Sequence, residues 1–299
     1  LLVGAVVVAA CASPQPRPKL EEQVRKVAPI PACVSRLEGR GLSPGVARGL
    51  TTDQYWKLLF PSYDESARRL PPRAVACTGD DVLGDPLLTG ATARPPSEVE
   101  PLFGSGGDRL KVVWLRTHVF ADGTTGGPIA LVRALGDDAE LYAVGVVRAH
   151  PERVRLGVER IGGELLVTVH EDSCAGRAAG TACETRLRLL SPHRGNLHAV
   201  ASIALERVEL ATGTEPGVPG RVEYHLTTTP KYMPNGLRLV EQVRVTDLAG
   251  RPLRKAELER LLTPRGAKPM AESEEALWGR VVPRASATAP ATSAPSGSG

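Results

Sequence analysis

The chain has 299 residues, 42% of them hydrophobic, enough for one or two domains with a buried core. Net charge is +4 with the two signs interspersed, and aromatic residues make up 4%, so there is neither a basic footprint nor a set of stacking rings for a nucleic-acid partner. Past residue 10 no long apolar run recurs, and the aromatics are too few for the girdles of a membrane barrel, so the body reads as a soluble domain.

Residues 1–10 form an uncharged apolar run, LLVGAVVVAA. It is shorter than the roughly 20 residues of a membrane-crossing helix and matches the roughly 7–15 of a signal-peptide core. No Met and no basic stretch precede it, so the start reads as truncated. Val8-Ala9-Ala10-Cys11 resembles the lipobox of bacterial lipoproteins. That resemblance implies recognition through Val8, Ala9 and Ala10, cleavage before Cys11, and a lipid on Cys11. It also implies an exported chain anchored in a membrane by its N-terminal lipid. Ala12 in place of Asp after the cysteine implies passage to the outer membrane of a Gram-negative bacterium. The alternative is a buried strand in which Cys11 is a small hydrophobe. The Pro-rich spacer ASPQPRPK at 12–19 has no packing pattern and suits a tether better than a strand.

Five cysteines leave one thiol over in an exported protein. If Cys11 takes a lipid, Cys33, Cys77, Cys174 and Cys183 remain. Three pairings are open to four cysteines. Locality favours Cys33–Cys77 and Cys174–Cys183. Neither pair has the spacing of a zinc site.

LEEQVRKVA at 20–28 reads as a short helix. Thr51 and Gln54 form a capping box. Trp56, Leu59, Phe60 and Tyr63 then follow at intervals of three and four, more plausibly a local core than a binding face. Pro61 breaks the stripe. A second box, Ser62 with Glu65, predicts another helix to Leu70, stopped by Pro71-Pro72. Cys33 and Cys77 bracket both, which predicts a stapled helical cap. GSGG at 104–107 reads as a linker. From Leu110 the period changes to two. LKVVWLRTHVF and PIALVRAL flank a Gly-rich turn, and Gly162-Gly163 and Asn235-Gly236 mark two more hairpins. Val222, Tyr224 and Leu226 alternate with Arg221, Glu223 and His225, one face buried and one wet. Pro252 to Leu262 reads as an amphipathic helix with Leu258, Leu261 and Leu262 on one side. AESEEALWG adds a turn of helix ending at Gly279.

The expected fold is mainly β: an antiparallel sheet, sandwich or partly closed barrel, with a small N-terminal helical cap and a short C-terminal helix. The expected divisions are a signal peptide at 1–10 and an anchor and tether at 11–28. A stapled helical region follows at 29–100, then a β domain at 108–264, an extension at 265–283 and a disordered tail at 284–299.

Catalytic signatures are absent: there is no GxSxG, Walker A, HExxH or EF-hand pattern. No catalytic residue and no cofactor is assigned. His193 and His198, in PHRGNLH, are the best metal candidates, with Glu184 or Glu223 as a carboxylate, although two exposed loop histidines are the plainer reading. His170-Glu171-Asp172 alternates across a strand and does not converge on one ion. Asp80-Asp81 with Asp85, and Asp137-Asp138, read as turns rather than calcium ligands. The expectation is therefore a cell-envelope lipoprotein in a binding or structural role, with an envelope protein or cell-wall partner and no nucleic acid. The alternatives are a carrier of lipid or apolar ligand, and an exported metal-dependent hydrolase using His193, His198 and Asp172.

Overall fold

A computed structural model describes residues 30–36, 50–106, 109–135, 138–175, 178, 181–212 and 220–282. The signal run, Cys11, the tether, the 20–28 segment, Asp137 and the tail lie outside them.

In chain order, β1 is Cys33–Arg36 and α1 is Thr52–Leu59, followed by β2 (Thr92–Ala93), β3 (Pro101–Ser105), β4 (Leu110–Leu115) and β5 (His118–Val119). The long strands are β6 (Thr125–Leu135), β7 (Asp138–Ala149), β8 (Val154–Ile161), β9 (Glu164–Asp172), β10 (Cys183–His193) and β11 (Gly195–Thr212). Then come β12 (Arg221–Met233), β13 (Gly236–Asp247), β14 (Pro252–Arg265), β15 (Lys268–Glu272) and α2 (Leu277–Val281). The mainly β expectation and the short C-terminal helix are both present. Gly162-Gly163 and Arg194-Gly195 make two-residue turns with positive φ throughout, the geometry that matches strand twist.

Hairpins account for most of the sheet, and two parallel seams close it. Gly195 and Asn196 of β11 pair with Ala143 and Val144 of β7, and Ser105 of β3 pairs with Gly157 of β8. The strands β3, β4, β6, β7, β11, β10, β9 and β8 therefore form a closed ring. Gly104, expected in a linker, belongs to this seam. A Cβ there would lie 2.3 Å from the Leu156 carbonyl oxygen, so only glycine lets β3 approach β8.

The ring is filled. Leu110, Val112, Trp114, Ile129, Leu131, Val147, Val158, Val167 and Val169 pack inside as alternate residues of their strands. Each end carries an ion pair in the inward row. Arg133 bonds Glu140 at one end, with the Tyr142 hydroxyl donating to the same carboxylate. At the other, Arg188 bonds Glu171, whose second oxygen accepts the His150 amide.

The outward residues are covered on two sides. Val113, Leu115, Ala130, Val132 and Leu141 meet the N-terminal segment. There the Thr51–Gln54 capping box has both bonds, and Trp56, Phe60 and Tyr63 are fully buried, so the aromatic stripe is core. The second predicted helix is absent. The Asp64 carboxylate accepts the Ser66 and Ala67 amides, and Asp64 bridges to Arg69, turning the chain back on itself. On the other side, Leu166, Leu187, Leu189 and Ile203 pack against Leu237, Leu239, Leu262 and Met270 of the C-terminal strands. The predicted helix at 252–262 is instead β14, hydrogen-bonded along its length to β13. Its inward row is Ala256, Leu258, Arg260 and Leu262. Arg260 can occupy that row because Glu241 of β13 bonds it at 2.8 Å, with side-chain exposures of 6% and 3%. The other Glu241 oxygen accepts the Leu277 amide at the start of α2.

Candidate functional site

Both disulfides form as locality suggests. Cys33–Cys77 ties β1 to the segment after α1, with Cα atoms 6.3 Å apart. Cys174–Cys183 ties the end of β9 to the start of β10, with Cα atoms 5.0 Å apart. Asp172 organises the second loop. Its Oδ1 accepts the Thr185 hydroxyl and the Cys174 and Ala175 amides at 2.8, 2.9 and 3.0 Å. Burial alone would raise its pKa, but those three bonds outweigh it and hold the carboxyl below its ordinary value.

Asp172 is thus occupied, and it is remote from the histidine pair. It faces Thr185 in the ladder, whereas His193 lies at the far end of the same strand, roughly 26 Å away at ~3.3 Å per residue. Glu184 bonds Arg186 at the Asp172 end of β10, and Glu223 lies on β12, so neither joins the pair. His170 sits on the outward row of β9 with a buried, unbonded Nδ1. Burial first, and the nearby Arg155 second, lower its pKa. The carboxylates at 80–85 are separate turn caps. Asp80 accepts the Thr78 hydroxyl, Asp81 the Gly84 amide and Asp85 the Leu87 amide.

His193 and His198 do come together, with ring centroids 6.1 Å apart. Among the described residues no cluster of three or more His, Cys, Asp or Glu could hold a metal.

The sequence reading missed an open groove of about 410 Å³ at the β13–β14 turn, lined by Arg244, Thr246, Pro252, Leu253, Arg254 and Lys255. A bulge between Val245 and Thr246 shapes it. Leu253 in its lining and Leu248 in the turn are exposed, and Lys255 bonds Glu257 at 2.7 Å. This is the stretch misread as a helix, which is why its cations and leucines were not seen to share a strand end.

The chain matches no protein-family model, no curated protein and no solved structure.

Proposed function

We propose that this is a lipid-anchored protein of the bacterial cell envelope, exported and held at the outer membrane through Cys11, whose β-rich body binds or scaffolds an envelope protein or cell-wall component. The observation that carries the reading is the cysteine account. Cys33, Cys77, Cys174 and Cys183 pair with one another, which suits an oxidising compartment, and Cys11 is left for the attachment chemistry that Val8-Ala9-Ala10 resembles. The filled barrel supports a role for the outer surface rather than the interior, since Trp114 and its neighbours occupy the space an enclosed ligand would need. The groove at Arg244, Leu253 and Lys255 is the partner-facing surface we favour, because it joins exposed apolar area to cations.

Feeding a labelled fatty acid to a bacterial host expressing the chain behind a start codon and basic leader tests the anchor. Label and membrane fractionation should both be lost in Cys11→Ser. Equal recovery of label in wild type and variant would sink the proposal.

A further inference from the structure

We infer that His193 and His198 form a chelating site for one divalent transition-metal ion of the kind imidazole favours: copper, nickel or zinc. His193 pairs with Asn196 and His198 with Ser191, so the two histidines are diagonal neighbours across the β10–β11 hairpin and leave it on one face. Their rings meet edge to face, 62° between planes, with centroids 6.1 Å apart. Both residues are exposed, and among the described residues neither ring nitrogen has a hydrogen-bond or ion-pair partner. An ion at about 2.0–2.1 Å from one nitrogen of each ring can bridge such a gap. The adjustment needed is a rotation about χ2, which aims the nitrogens, together with a small χ1 movement that draws the two rings closer.

The backbone beneath the rings separates this pair from two chance surface histidines. Arg194 and Gly195 have φ of 50° and 85°, the left-handed pair that fixes a two-residue hairpin in register. Gly195 is buried, and a Cβ on it would meet Thr78 at 3.0 Å and Ala32 at 3.3 Å. Those two residues adjoin Cys77 and Cys33, so the disulfide-stapled segment seats the turn. Gly195 also pairs with Ala143 at the β7 seam. Disulfide, seam and turn therefore hold both histidine Cα positions before an ion arrives, which removes most of the ordering cost of chelation. Among the described residues no third His, Cys, Asp or Glu completes the site, so water fills the other positions. Binding should follow the usual order for nitrogen ligands, copper(II) above nickel and zinc, with magnesium and calcium excluded because they require oxygen.

Calorimetric titration of the full chain carrying Cys11→Ser with copper(II), nickel(II) and zinc(II) salts tests this. The expected result is one copper per chain. His193→Ala and His198→Ala should each weaken it by roughly 100-fold, the low end of what two tethered ligands gain over one. Both histidines are exposed, so circular dichroism should show the variants folded, and His225→Ala serves as a control away from the hairpin. Copper binding that survives in the double variant, or that depends on only one of the two histidines, overturns the chelate. So does the absence of binding, at micromolar copper, to the Cys11→Ser chain with both histidines intact.

Discussion

Replacing Glu241 with Ala should be the most damaging single change in the C-terminal sheet. Glu241 and Arg260 are 3% and 6% exposed in their side chains, and the substitution leaves a buried guanidinium without its partner. Such a loss costs about 3–5 kcal/mol. Arg260 keeps a second bond, 2.7 Å to the half-exposed Glu272, which compensates in part, so the cost falls near the lower end, about 3 kcal/mol. The Leu277 amide loses its carboxylate acceptor as well, which adds about 1 kcal/mol. The sum is about 4 kcal/mol, a large share of a typical domain's stability. Urea titration followed by tryptophan fluorescence reads it. Trp278 lies on α2 with the Arg207 guanidinium 4.6 Å from its ring centroid, so it reports on the element that Glu241 anchors. The double variant Glu241→Leu with Arg260→Met should recover most of the loss, because an apolar pair carries no desolvation cost. A Glu241→Ala loss below about 1 kcal/mol would show that the pair does not hold the sheet to the helix.

Gly104→Ala should lower the urea midpoint by the equivalent of about 1–3 kcal/mol, since its Cβ would strike the Leu156 backbone at the β3–β8 seam; Gly279→Ala, where the nearest atom is the end of the flexible Glu275 side chain, is the control for the general cost of losing a glycine. Removing Cys33–Cys77, which closes a separation of 44, should cost roughly 4 kcal/mol, and removing Cys174–Cys183, with a separation of 9, roughly 3. Denaturation midpoints of the paired Cys→Ser variants give both values. Stability should also fall with acidification in two stages. His118 and His170 have folded pKa values lowered by burial, so the unfolded chain takes up protons first and stability declines as pH drops below about 6.5. Asp122, brought down to about 2 by the Thr124 hydroxyl and amide and by Arg148, contributes above its ordinary range, and that contribution disappears as pH falls toward 2. The urea midpoint measured against pH should lose its upper slope in a His118→Gln, His170→Gln chain, and an unchanged slope would show that these two histidines do not cause it.

The hairpins were legible because their strands alternate and their turns carry paired turn residues. The disulfides were legible from locality. The second helix failed because Ser62 and Glu65 imitate a capping box, while the Asp64 carboxylate between them takes the local amides instead. β14 failed because Arg260 stands in its apolar row, which left Leu258, Leu261 and Leu262 to imitate helical spacing. Glu241, which makes Arg260 tolerable, is 19 residues away in sequence. The barrel seams were invisible for a related reason. They join β7 to β11 and β3 to β8, and Gly104 shows its purpose only when Leu156 stands against it. The histidine pair was half legible: five residues around a turn can bring two rings together, but the buried Gly195 that seats the turn depends on Thr78 and Ala32.

A mass-spectrometric thiol account of the protein extracted from membranes tests the central claim most directly. After alkylation without reduction, the account predicts a chain beginning at Cys11 with a diacylglycerol thioether, and no alkylation at Cys33, Cys77, Cys174 or Cys183. A chain retaining residues before Cys11, with the Cys11 thiol alkylated, would contradict it.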